Sequence, residues 1–172
     1  MRKFSSHGTG SFLPGQMRRL GDNVIFEDGV LVFHPENIEI GDNVYIGHGA
    51  ILKGYHRNTM TIGSDTWIGQ ACFFHSAGGL AIGSRVGVGP CVKILTSRHE
   101  DLGRDGPCIL ESPLRFAPVT VEDDVDLGIG VIILPGVTIG KGTQVGAGAV
   151  VSSDLPRFCV AAGVPAKPIR DR

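Results

Sequence analysis

Neither sign of charge is in excess in this 172-residue chain: 16 lysines and arginines stand against 17 aspartates and glutamates, a formal net charge of −1. That excludes a nucleic-acid binder relying on a broad positive field. Only the end is uneven, where Arg157, Lys167, Arg170 and Arg172 face a single acid, Asp171, and suggest a local anion site. Cysteine is scarce and lacks a binding pattern. Cys72, Cys91, Cys108 and Cys159 form no C-x-x-C pair, so neither a zinc ribbon nor a redox motif is suggested. Cys72 and Cys91 fall inside apolar repeats, where a thiol acts as a small buried hydrophobe. This usage fits a reducing compartment, and a cytoplasmic location is expected. No apolar run is long enough to span a membrane. The basic start Met1-Arg2-Lys3 is followed by no apolar segment of the kind that directs secretion.

Glycine is the opposite case. There are 26 glycines and 10 prolines, yet no collagen-like triplet and no low-complexity tract, so the glycines serve another period. Aliphatic or aromatic residues recur every six positions: Leu20, Phe26, Val32; Ile40, Ile46, Leu52; Ile62, Ile68, Phe74; Ile82, Val88, Ile94; and Val121, Leu127, Ile133, Ile139, Val145, Val151. Glycine commonly follows the aliphatic, then Asp, Asn or Ser, then Val or Thr. A helix would repeat its apolar face every 3.6 residues and a long strand every two. A period of six implies a short strand, a corner and another short strand. The corner is expected to need positive φ, which Gly, Asn and Asp tolerate best.

Three faces make a coil of eighteen residues. Coil starts at Leu20, Ile40, Ile62, Ile82, Val121 and Ile139 are separated by 20, 22, 20, 39 and 18 residues. The long step implies an insertion of about twenty residues, placed near 98–118, and a long structureless loop on a regular solenoid usually carries function. The fold expected is all-β: a parallel β-helix of about six coils in one domain, each coil burying its neighbour's apolar edge. Residues 1–19 read as a cap or arm, 20–156 as the repeat and 157–172 as a short C-terminal tail.

The repeats, the insertion and the segment Val160-Ala-Ala-Gly163-Val164-Pro165-Ala166-Lys167-Pro-Ile-Arg170 together resemble the hexapeptide-repeat acetyltransferases. The nearest branch is the maltose/galactoside O-acetyltransferase-like group, whose most typical segment is similar to Leu127-Gly-Ile-Gly-Val-Ile-Ile-Leu-Pro135-Gly136-Val-Thr-Ile-Gly140. The resemblance covers roughly residues 20–172. It implies a left-handed β-helix, against the usual chirality of crossovers, a homotrimer, and acetyl-CoA bound as co-substrate in clefts between subunits.

Of six histidines, His99 has the strongest case. It lies in Thr96-Ser97-Arg98-His99-Glu100, where the repeat gives way to the insertion, and matches the family's catalytic position. Histidine, with an ordinary pKa of about 6.5, supplies a neutral base near pH 7. It would take the acceptor's proton during direct attack on the thioester. The resemblance also makes the amide of Ile129 the oxyanion donor, from a neighbouring chain. It sets Lys167 and Arg170 against coenzyme A phosphates; the small-residue corner at Ala147 would let the pantetheine arm lie against the coil, with Ser152 as a polar contact nearby and Gly163 and Pro165 as further cofactor-binding candidates. His75-Ser76 occupies a corner where the sugar O-acetyltransferases often carry an acidic pair, and Asp126 stands in place of their usual tryptophan. These departures make His75, Ser76 and Asp126 candidate acceptor contacts and leave the acceptor open. Glu100 either orients His99 or is a loop charge. Trp67, two coils earlier, reads as packing.

Other motifs carry less. Gly136–Thr143 has the wrong spacing for a P-loop, and Glu122-Asp123-Asp124 reads as a turn and not a metal site. No metal is expected. A zinc carbonic anhydrase on this fold would need three convergent histidines, and its closely spaced histidine pair is missing. The first expectation is acetyl transfer to a hydroxyl of a sugar or polysaccharide precursor. The alternatives are an amine of a nucleotide-linked amino sugar, an antibiotic, or a non-catalytic solenoid.

Overall fold

The computed structural model describes residues 4–172; the basic start Met1-Arg2-Lys3 lies outside the described residues. The six-residue period becomes three parallel sheets wound into a left-handed prism. The first face stacks Arg19–Leu20, Ile38–Ile40, Met60–Ile62, Leu80–Ile82, Val119–Val121 and Thr138–Ile139. The second begins with Val24–Phe26 and runs through Val44–Ile46, Trp67–Ile68, Gly87–Val88, Asp126–Leu127 and Gln144–Val145. The third stacks Leu31–Phe33, Ile51–Lys53, Phe73–His75, Lys93–Ile94, Ile132–Ile133 and Val150–Val151.

Register follows the sequence period. Ile46 pairs with Ile68, Ile68 with Val88, and Val88 with Leu127 on the second face. Leu52, Phe74, Ile94 and Ile133 align on the third. These residues are buried and form one continuous core along the axis. Six coils are complete. A seventh is begun by Leu155, bridged to Ile139, and by Cys159–Gly163, which pairs with Gln144–Val145. The first half of the expected tail therefore extends the solenoid. Ala166–Asp171 then folds back antiparallel on Cys159–Gly163. At the other end the arm caps the first coil. Met17 is buried, the Phe12 ring meets Phe26 edge-on at 4.9 Å, and Gly10 accepts the Val32 amide at 2.8 Å.

Two details of the corners differ from the sequence reading. Positive φ falls three residues after the aliphatic, at Asn23, Asn43, Asp65, Arg85, Asp124 and Gly142 in one column and at Gly29, Gly49, Ala71, Cys91, Gly130 and Gly148 in the next, and not at the glycines that directly follow the aliphatics. Those glycines answer a different need, the close approach of successive coils. A Cβ on Gly41 would lie 2.7 Å from the Ser64 nitrogen, and one on Gly47 2.8 Å from the Gln70 nitrogen. Cys91, expected as a buried hydrophobe, occupies a corner at φ 61° and is partly exposed, while Cys72 is buried.

The insertion is also more ordered than a structureless loop. Ser97–His99 pairs antiparallel with Leu114–Phe116, and Ile109–Glu111 forms a short 3₁₀ turn between them. It leaves the prism at the edge joining the third face to the first.

Phe74 is the largest fully buried side chain, mid-stack on the third face. Phe74→Ala should lower unfolding stability by about 3–5 kcal/mol, measured by urea denaturation.

Candidate active site

Alternation along the hairpin sets Ser97, His99, Leu114 and Phe116 on one side and Arg98 and Arg115 on the other. The second side is exposed; Ser97, His99 and Phe116 are half-buried. His99 Nδ1 lies 3.1 Å from the Ser112 carbonyl oxygen. A carbonyl only accepts, so Nδ1 carries the hydrogen and the neutral ring keeps an unprotonated Nε2. Such a ring can accept a proton. It lines an open pocket of about 280 Å³ with Arg98, Glu100, Asp101, Leu102 and Arg115.

The same edge of the prism carries the His75 corner. Thr96 Oγ1 donates to the His75 carbonyl at 2.7 Å and accepts the Gly78 amide at 2.9 Å, fastening this corner to the root of the hairpin. The Phe116 ring lies 6.2 Å from Tyr55, and Tyr55 meets His75 edge-on at 6.0 Å. Burial, and then the nearby Lys53 charge, push the His75 pKa below its ordinary value. Ser76 is buried, and its Oγ has no hydrogen-bond partner among the described residues. A cavity of about 150 Å³ beside this corner is lined by Phe33, His34, Lys53, Tyr55 and His56, with His7. The structure thus brings His99, His75 and Ser76 to one edge.

The other candidates stand elsewhere. Ile129 is 55% exposed at the edge joining the second face to the third. Its carbonyl accepts the Gly148 amide at 2.8 Å, while its own N–H has no acceptor among the described residues. Ala147, one coil on, shares that property, so a free amide belongs to this corner and does not single out Ile129. Asp126 is exposed on the second face, where Gln144 Nε2 donates to its Oδ2 at 3.1 Å. Within one chain His99 and Ile129 occupy different edges.

The terminal cations divide. Arg157 is engaged by Glu122 in a two-pronged pair at 2.9 Å each, and Arg172 donates to the Gly142 carbonyl at 2.8 Å. Lys167 and Arg170 are exposed and have no carboxylate in salt-bridge range among the described residues. Arg170 likewise donates to the Asp171 carbonyl at 3.0 Å, so of the four cations only Arg157 has its charge paired with a carboxylate among the described residues. Ser152, Gly163 and Pro165 are exposed near this end. The acidic run is taken up by ion pairs: Glu122 with Arg157, and Asp124 with Arg85 and Lys141. No cluster able to hold a metal occurs among the described residues, and no helix there is long and apolar enough to cross a membrane.

Comparison with known proteins fixes the family. The chain is 30% identical to the galactoside O-acetyltransferase of Escherichia coli K12 over 162 residues, 94% of this chain and 67% of that protein. The chain belongs to the hexapeptide-repeat acetyltransferase family. No family model matches the chain. It spans 46%, 63% and 67% of the length of three curated relatives. Among solved structures, an N-acyltransferase of Bacillus cereus, AntD, in complex with dTDP-4-amino-4,6-dideoxyglucose and coenzyme A, superposes with a TM-score of 0.82. That pair is 26% identical and covers 91% of this chain and 85% of AntD. A maltose O-acetyltransferase of Clostridium difficile 630 superposes at 0.67, with 27% identity over 91% and 71% of the two chains.

Sequence reasoning missed Tyr55, Phe116 and Ser112. Ser112 acts through its carbonyl, which no side-chain signal reveals.

The His75 shift has a consequence for acid stability. A ring held neutral in the fold resists protonation that the unfolded chain accepts. Stability is therefore full above the ordinary histidine pKa of about 6.5 and falls as pH drops below it towards the lowered folded value. His75→Gln should flatten that part of the profile, measured by thermal melts between pH 7.5 and pH 5.

Proposed function

We propose that this protein transfers an acetyl group from acetyl-CoA to a hydroxyl of a sugar or polysaccharide precursor, with His99 as general base. The observation that carries the reading is the His99 ring: Nδ1 is tied to the Ser112 carbonyl, Nε2 has no hydrogen-bond partner among the described residues, and His99 is one of the residues lining an open pocket. Family membership supports the reaction class.

Acetyl-CoA is the co-substrate that supplies the thioester. The residues present suit it. Gly130 and Gly148 stack at an edge where an added Cβ would meet no atom within 4 Å, leaving space for a slender arm beside Ala147 and its free amide. Lys167 and Arg170 offer unpaired charge for phosphates, with Ser152, Gly163 and Pro165 nearby.

In the reaction, His99 Nε2 takes the hydroxyl proton as the acceptor oxygen attacks the thioester carbonyl carbon. Negative charge gathers on the carbonyl oxygen and is met by the Ile129 N–H. The C–S bond then breaks, the imidazolium returns its proton to the departing thiolate, and an acetyl ester remains. Because His99 and Ile129 lie on different edges of one chain, the site is completed between adjacent chains of a homotrimer. His75 and Ser76 stand on the His99 edge as acceptor contacts. Four cysteines without a disulfide are in keeping with the cytoplasm.

A second reading has its own support. The likeness to AntD favours transfer to the amine of a nucleotide-linked amino sugar, for which the same base serves.

His99→Ala should cut turnover by about 10²–10⁴-fold with the fold intact, followed as thiol release from acetyl-CoA over a panel of sugars and nucleotide-linked amino sugars. Full turnover in that variant would overturn the assignment. Ile129→Pro deletes the proposed donor and should cost about 10²–10³-fold in kcat. Its fold is expected to persist because Pro90 occupies the equivalent corner of the preceding coil. Lys167→Ala should raise the KM for acetyl-CoA, leaving kcat nearly unchanged.

A further inference from the structure

The second face carries an outward column that is filled at each rung of the first six coils except one. Ile25, Tyr45, Trp67, Gly87, Asp126 and Gln144 follow one another in register. Tyr45 and Trp67 stack with ring centres 5.7 Å apart and planes within 3°. The opposite face of the indole therefore looks along the column towards Gly87, where there is no side chain. Trp67 is 43% exposed although large and apolar. On the far side of the gap stands Asp126. Gln144 holds its Oδ2 at 3.1 Å, while Oδ1 leans back over Gly87, 3.0 Å from where a Cβ would be.

The glycine has no conformational reason to be there. Gly87 is not among the positive-φ residues, unlike Gly49, Gly130 and Gly148. No backbone crowds it either: the only atoms a Cβ would approach within 4 Å are those of the Asp126 carboxylate. A glycine inside a strand is destabilising and marks a place where something else comes close. What it preserves here is room. Two rungs separate Trp67 from Asp126, about 9–10 Å. A ring stacked at about 3.5–4 Å from the indole fills the near half, and its edge reaches the free Oδ1.

We infer that Trp67, Gly87 and Asp126 form a slot for a pyranose ring, which continues the Tyr45–Trp67 stack and donates a hydroxyl to Asp126 Oδ1. The apolar face of a pyranose matches the indole. Its ring of hydroxyl donors matches a carboxylate with one free oxygen. The same carboxylate disfavours a phosphate at this point. Assigning the ring to the acceptor, or to a further unit of a longer acceptor, rests on the proposed acetyl transfer; the slot itself does not.

Trp67 is the only tryptophan in the chain, so its emission reports the slot directly. Maltose, maltotriose and methyl galactoside are titrated into the full-length protein without acetyl-CoA. At least one should change the Trp67 emission saturably at concentrations of order 10 mM or below. Gly87→Leu should abolish the response. Gly87→Ala, which meets only a movable carboxylate, should fold like wild type and weaken binding by about tenfold. No response from wild type, or an unchanged titration in Gly87→Ala, would overturn the slot even if acetyl transfer proceeds. A slot that binds sugar while no acceptor is acetylated would instead remove the proposed reaction and leave the slot standing.

Discussion

The close stacking of successive coils governs the rest of the molecule. Each coil hydrogen-bonds to the next through its backbone, and the corner glycines allow strands to approach where any Cβ would strike the neighbouring backbone. Once that spacing is set, every residue has a fixed address: a face or edge, given by its place in the six-residue repeat, and a height, given by its coil. Side chains one coil apart are then stacked whether or not they are chemically alike. The buried Ile46, Ile68, Val88 and Leu127 column and the exposed Tyr45–Trp67 stack are products of the same geometry.

That constraint also explains where function gathers. The insertion can leave the prism only where it does not interrupt stacking, and it does so at the edge after Ile94. Thr96 secures its base, Phe116 rests against Tyr55, and the Ser112 carbonyl turns His99 into a ring with one bare nitrogen. The opposite edge, with its uncovered amides and bare glycines, presents donors and space. A single chain holds the His99 ring on one edge and the free amides of Ile129 and Ala147 on another.

Much of the fold was legible because a six-residue apolar period has one physical meaning in a stacked coil. The aliphatic register matched residue for residue. The roles of the letters around it were less legible, since glycine answers both positive φ and close approach, and composition does not separate the two. Of the candidate site, the placement of His99 at the root of the insertion was readable. Tyr55 was not, although a signal existed. Every spacing that departs from six, from Val32 to Ile40, Leu52 to Ile62, Phe74 to Ile82 and Ile94 to Val121, falls at the same edge. Irregularity confined to one edge marks where the solenoid has been elaborated. Trp67 shows the converse: it packs on Tyr45 as the sequence suggested, yet the missing side chain at Gly87 leaves its other face open.

The most direct test of a site divided between chains is complementation. His99→Ala and Ile129→Pro chains, each nearly inactive alone, are unfolded together in equal amounts, refolded and assayed. If His99 of one chain works with Ile129 of its neighbour, random pairing should restore roughly a quarter of wild-type turnover. Mixed assemblies that form yet stay as inactive as the parent variants would contradict a site shared across the interface.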